Sequence, residues 1–144
     1  AALITLATPY WAQWQARVQL EATREQLIND LQSARLLALQ HGQTVQLSRL
    51  NTCSWATTTG SDWSCGWQIS LKANAQVLRT SAQTRPVQIS FSQTTPFDVD
   101  ALGELGQISS HWIIKALPAS LNLANVLCLN SASRLRWQTG ESCS

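Results

Sequence analysis

Val18-Gln19-Leu20-Glu21-Ala22-Thr23-Arg24-Glu25-Gln26-Leu27-Ile28-Asn29-Asp30-Leu31-Gln32-Ser33-Ala34-Arg35-Leu36-Leu37-Ala38-Leu39-Gln40 contains neither glycine nor proline, and most of its residues are good helix formers. Leu20, Leu27, Leu31, Ala34 and Ala38 recur at spacings of seven, four, three and four, which is one face of a helix. Glu21, Arg24, Glu25, Asp30 and Arg35 fall between them and read mostly as the opposite, solvated side. Gly42 follows the last periodic residue and reads as the C-terminal stop. Ahead of this stretch the chain is apolar from Ala1 to Ala7, then passes Pro9 into Tyr10-Trp11-Ala12-Gln13-Trp14. Taken together, residues 1 to about 41 predict one helix roughly 60 Å long. That is about twice the diameter of a small domain, so the helix needs neighbours outside its own globule.

The rest of the chain has a different period. Thr44–Ser48, Cys65–Leu71, Val77–Arg79, Val87–Phe91, Phe97–Val99, Ile108–Ile114, Leu121–Leu123, Val126–Leu129 and Arg134–Gln138 are short, mostly alternating segments separated by turn residues. Such a series indicates antiparallel sheet. The fold class is therefore α+β: a long N-terminal helix (1–42) packed on antiparallel β-sheets that form a head (43–144). Trp67, Ile69 and Leu71 share one strand face, and Trp67 and Trp112 are assigned to the core because they alternate with polar residues. Trp55 and Trp63, in a polar loop, are the tryptophans expected at the surface, where they could serve a partner or a small ligand.

At 144 residues the chain is one domain's worth of sequence with a net charge of +2, too little to name a nucleic-acid partner without knowing where the charges sit. Charged residues are scarce, and Ser, Thr, Gln and Asn occupy much of the polar surface, which suits an exported protein. Methionine is absent even at position 1, so Ala1 reads as a processed or cut end with sequence upstream. The apolar run from Ala1 to Ala12 is too short to span a bilayer, which takes about 20 residues. It reads as the tail of a longer membrane segment, with Trp11 and Trp14 where interfacial aromatics fall. A buried terminal helix is the alternative.

Four cysteines lie in two local groups, with no Cys-x-x-Cys pair and only two histidines in the chain, so zinc is a poor fit. Two disulfides in an oxidising compartment are the simplest reading. Pairing by proximity gives Cys53–Cys65 and Cys128–Cys143, although four cysteines permit three connectivities. No metal site or cofactor is expected. Asp98 and Asp100 share a strand face, which could hold a cation but reads better as a solvated face. Catalysis has little support: Ser109-Ser110-His111 lacks a Gly-x-Ser-x-Gly elbow, and His41 completes the charge at the helix end.

Several segments resemble the type IV pilin-like proteins, specifically the minor pilins and pseudopilins of the GspH/FimT/FimU class. Ala1 to Trp14 looks like the latter part of a pilin N-terminal helix, with Pro9 where such helices bend. Arg24-x-x-Leu27-x-x-x-Leu31-x-x-Ala34-Arg35-x-x-Ala38, then Gly42 and Val45-Gln46-Leu47, resembles the helix-to-first-strand signature of the class. Trp63-Ser64-Cys65-Gly66-Trp67 is similar to its Trp-x-x-Gly-Trp turn, and Val126 to Arg136 to its final hairpin. Two features depart from the class. The methylated aromatic start with a nearby Glu is absent, and Ser133 stands where Gly usually precedes Arg-x-Arg.

The resemblance implies a pilin fold and a non-enzymatic filament subunit. Its N-terminal helix would engage the major pilin and other minor pilins, while the isolated head would be monomeric. Before assembly the protein would sit in the inner membrane with a periplasmic head; afterwards it would belong to an extracellular pilus. It further implies non-specific, salt-sensitive DNA binding for uptake in natural transformation, through Arg134 and Arg136. These are two apart on a predicted strand and so leave one face together. Lys115 and Arg85 would extend the patch, with Arg79 or Lys72 as further cations. The competing expectation is a purely structural subunit, either a priming minor pilin or a pseudopilin of type II secretion, whose arginines merely guard a sheet edge.

Overall fold

In the computed structural model, the described residues are 2–51, 53–55, 59–83, 87–106, 110–117, 119–130 and 134–143; side chains are described from Trp11 onward, except that of Ala119. One helix, α1, runs from Ala2 to His41 and continues through Pro9. Gly42 ends it at φ +62°, a conformation that costs glycine nothing. Among the described residues eight strands follow: β1 (Val45–Arg49), β2 (Gly66–Leu71), β3 (Val77–Ala82), β4 (Val87–Phe91), β5 (Phe97–Val99), β6 (His111–Ala116), β7 (Ala124–Leu129) and β8 (Leu135–Thr139). They form two antiparallel four-stranded sheets, in the orders β3-β2-β1-β5 and β4-β6-β7-β8.

The leucine–alanine stripe meets both sheets. Leu20, Leu27, Leu31, Ala34 and Ala38 are buried against Val45 and Leu47 of β1, Ile114 of β6 and Leu127 of β7, in one continuous core. Its centre is aromatic. The Trp112 ring stacks on Phe91 at 4.7 Å and meets Phe97 edge-on at 5.1 Å, and Trp63 lies 5.1 Å from Phe91 and 5.9 Å from Trp112. Geometries of this kind add to the burial of area alone.

Trp63 corrects the sequence expectation, being only 1% exposed. Its segment does not loop into solvent. It runs along the outer edge of β4, where Trp63 N–H donates to Ile89 O, Phe91 N–H donates to Ser61 O, and Ile89 N–H donates to Ser64 Oγ. Trp55 is half-buried, and its Nε1–H donates to Ser64 O at 3.1 Å. Gly66 accounts for the glycine of the Trp-x-x-Gly-Trp stretch. Its φ is +106°, and a Cβ there would stand 2.1 Å from Ser81 O across the β2–β3 ladder.

Other expectations shift in detail. The Leu121–Leu123 alternation is no strand; a 3-10 turn covers Ala119–Leu121, and Asn122 sits at φ 53°. β6 begins at His111 rather than Ile108, and residues 107–109 lie outside the described set. Both disulfides join neighbours in sequence, Cys53–Cys65 and Cys128–Cys143, with Cα separations of 5.3 and 6.0 Å. The second carries the C-terminal segment back over the outer face of the β4-β6-β7-β8 sheet, where Val126 is fully buried.

Candidate functional site

The exposed stretch of α1 from Trp11 to Gln15, the clamps that fix the helix farther on, and the β8 edge are the three candidate features. Strands of five or six residues span about 20 Å, so a forty-residue helix must overrun them. Among the described side chains of α1 the first buried one is Ala16, and every residue from Trp11 to Gln15 is exposed. Trp11 and Trp14 are 58% and 54% exposed, with ring centroids 5.2 Å apart, and Val18 continues the apolar surface at 44%. Large apolar side chains grouped on an exposed helix mark a surface that another molecule covers. Among the described residues no helix is long and apolar enough to cross a membrane.

The other half of α1 is held by two charged residues that the helix pattern places mostly on the solvated side. Asp30 is fully buried. Its Oδ2 accepts from Trp67 Nε1 at 2.7 Å and from Ser81 Oγ at 2.5 Å, while Oδ1 lies 3.2 Å from Arg79 Nη2, an ion-pair contact without hydrogen-bond alignment. This ties the helix to β2 and β3. Arg24, 9% exposed, ties it to the other sheet. Its Nη1 donates to Asn125 Oδ1 at 2.8 Å, its Nε and Nη2 donate to Glu25 Oε1, and its Cζ stands 3.6 Å above the Trp137 ring.

Arg134 and Arg136 are exposed, one just ahead of β8 and the other within it. β8 is the outermost strand of its sheet. Leu135, between them, packs against the core, so the two guanidinium groups leave the sheet's outer face together. The other expected cations do not join them. Lys115 lies on the same face, but its row (Ala124) is four residues along β7 from that of Arg136 (Cys128), about 13 Å away, and it pairs with Glu141. Lys72 pairs with Asp98 and Arg79 with Asp30, both on the first sheet. Arg85 lies outside the described residues, as does Ser133. The Asp98/Asp100 pair is also occupied: Asp98 takes Lys72, and Asp100 Oδ1 accepts from the N–H groups of Leu102 and Glu104. Among the described residues no three His, Cys, Asp or Glu side chains gather as a metal site. Ser110 is buried, His111 is half-buried, and Ser109 is not described.

Between α1 and β8 opens a surface cleft of about 630 Å³, with Arg17, Leu20 and Glu21 on one wall and Leu123, Trp137 and Thr139 on the other. Nothing in the sequence alone brings these residues together; the cleft depends on the order of strands in the sheet.

The model of the family described as type II transport protein GspH matches residues 23–136. This chain belongs to the GspH family, the class of minor pilins and pseudopilins. The match runs from the helix segment holding both clamps to Arg136. Solved structures share the fold. The type IV minor pilin FimU of Pseudomonas aeruginosa aligns in two crystal forms. One has a TM-score of 0.69 and 19% identity, covering 91% of this chain and 99% of that one. The other has a TM-score of 0.66 and 20% identity, covering 86% and 99%. The minor pseudopilin EpsH from the type 2 secretion system of Vibrio cholerae aligns with a TM-score of 0.60 at 10% identity, covering 84% of this chain and 97% of that one. No curated protein matches the chain significantly.

Proposed function

We propose that this protein is a minor subunit of a type IV pilus, held in the filament through the exposed Trp11–Val18 stretch of α1, with the head displayed at the surface. The supporting observation is the Trp11–Trp14–Val18 surface on a helix segment that the head does not cover. Before assembly the subunit is anchored at the inner membrane with its head in the periplasm; afterwards it is part of an extracellular filament. The test is a Trp11→Glu/Trp14→Glu variant of the full-length subunit. Recovery in sheared filaments should fall about tenfold while head stability stays unchanged, because these side chains touch nothing in the core. Normal recovery refutes the helix-docking reading.

Within that reading, Arg134 and Arg136 contact DNA non-specifically during uptake. Two parallel guanidinium groups on an exposed edge suit phosphate oxygens through paired hydrogen bonds. The patch is small, because Lys115 spends its charge on Glu141. Binding is therefore weak and lost at modest salt. Each phosphate contact steepens the log–log salt dependence by about 0.9, so Arg134→Ala/Arg136→Ala should flatten it by about 1.8 and abolish detectable binding near physiological salt. Equal binding by the double variant excludes the DNA role. It would favour a purely structural subunit, of a pilus or of a type II secretion pseudopilus, which the ion pairing of Lys72, Arg79 and Lys115 also suits.

A further inference from the structure

The β8 edge has a hydrogen-bonding face that no described residue uses. Asn130 N–H donates to Arg134 O, and Gly140 N–H donates to Ala124 O. In the β7–β8 register these two pairs bracket Cys128↔Arg136 and Val126↔Gln138. Antiparallel pairing alternates, so residues 134, 136, 138 and 140 turn their peptide groups toward β7. The N–H and C=O groups of Leu135, Trp137 and Thr139 point away from it, along the open edge.

The other three edges are defended. The 61–63 segment covers β4 through the Asp62↔Ser90 bridge. Leu105 bridges Val99 beside β5, and Gly106 N–H donates to Asp98 O. β3 carries a register shift opposite Ile69/Ser70, a common way to blunt an edge. β8 pairs regularly over five positions, and among the described residues neither a covering segment nor a register shift protects it; the charges of Arg134 and Arg136 are what deter indiscriminate pairing there and select an acidic partner.

Its two faces differ in chemistry. Leu135, Trp137 and Thr139 lie on the helix side, and the cleft opens beside the last two. The cleft is close to neutral: Arg24 contacts Glu25, Lys115 contacts Glu141, and Arg17 and Glu21 balance one another. Its apolar surface comes from Leu20, Leu123 and the ring of Trp137. On the outer face stand the two exposed arginines, 134 and 136.

We propose that β8 accepts an extended polypeptide segment as a ninth strand, one whose residues alternate between apolar side chains that enter the cleft and acidic side chains that meet Arg134 and Arg136. Main-chain bonds to Leu135, Trp137 and Thr139 supply affinity, and alternate side chains supply selectivity, as in strand addition generally. The occupant follows from charge complementarity: a basic outer row opposes an acidic row, and a neutral, apolar cleft takes apolar side chains. The edge geometry stands whether or not DNA uses the same arginines.

The probe is a short synthetic peptide alternating glutamate and valine, added to isotopically labelled protein at low salt. Amide exchange at Leu135, Trp137 and Thr139 should slow about tenfold at saturation, while Arg136 and Gln138, already bonded to β7, change little. A peptide alternating lysine and valine should bind at least about tenfold more weakly. N-methylation of the peptide at every second residue should abolish binding in one phase and spare it in the other, a control that leaves the protein untouched. Absence of protection at the three amides, equal binding of the basic peptide, or equal effects of both methylation phases would each overturn the proposal.

Discussion

Replacing Asp30 by alanine should destabilise the head by about 4 kcal/mol, more than any exposed charge in this chain can be worth. Asp30 accepts two hydrogen bonds, from the Nε1 of fully buried Trp67 and from the hydroxyl of Ser81, which is 7% exposed. Alanine strands both donors, and a buried donor without a partner costs about 1–3 kcal/mol. Arg79 also loses its carboxylate, but its side chain is 52% exposed, so water replaces most of that contact. Two stranded donors plus a small cavity give roughly 3–5 kcal/mol, the range expected when one partner of a buried charge cluster is removed. Urea unfolding followed by tryptophan fluorescence measures the difference, provided the m-value is unchanged. For a chain of this length the melting temperature should fall by about 10–15 °C. Arg79→Ala is the internal control, expected to cost no more than about 1 kcal/mol. The reasoning fails if Asp30→Ala loses less than about 1 kcal/mol, or if Arg79→Ala matches it, because the stabilisation would then lie in an ion pair rather than in the two buried donors.

Two further perturbations test the second sheet. Arg24→Ala should cost about 2–3 kcal/mol, from the lost bond to Asn125 and the lost stacking on Trp137, and should shift Trp137 emission to the red. Cys128→Ser/Cys143→Ser opens a loop with a sequence separation of 15, worth about 3 kcal/mol in unfolded-chain entropy, and should speed amide exchange at Val126 before the aromatic core opens.

How much of this was legible in the sequence follows from which features are local. The α1 stripe, the stop at Gly42, the β4 alternation and the proximity of each cysteine pair depend on neighbours a few residues away, and the structure keeps all of them. Trp63 was misplaced because its burial is decided by a bridge to Ser90, and no period marks such a segment as inward-facing. Leu121–Leu123 misleads in the opposite way: its three residues alternate like a strand, but the 3-10 turn that ends on Leu121 and the φ of Asn122 turn the chain instead. At the candidate site, the shared face of Arg134 and Arg136 followed from their spacing. The diversion of Lys115 to Glu141 did not, because it requires the C-terminal segment to fold back under its disulfide.

The charged residues of α1 show why an apolar stripe alone does not determine the structure. Leu20, Leu27, Leu31, Ala34 and Ala38 recur by threes, fours and a seven, so sliding the helix by one turn, about 5.4 Å, brings similar side chains over the same sheet positions. Burial of area would change little. Asp30 and Arg24 cannot slide. One needs Trp67 and Ser81 on the first sheet, and the other needs Asn125 and the Trp137 ring on the second. They stand six residues apart, which places them on opposite flanks of the stripe, so the two sheets lock the helix in rotation as well as translation. That registration sets how far Trp11 and Trp14 stand from the head. In the proposed filament subunit this distance has to be fixed, since the helix surface and, under the strand-addition proposal, the β8 edge would each reach a different neighbour from one rigid body. Residues read as solvent-facing in the sequence therefore tie the geometry of the core to the geometry of assembly.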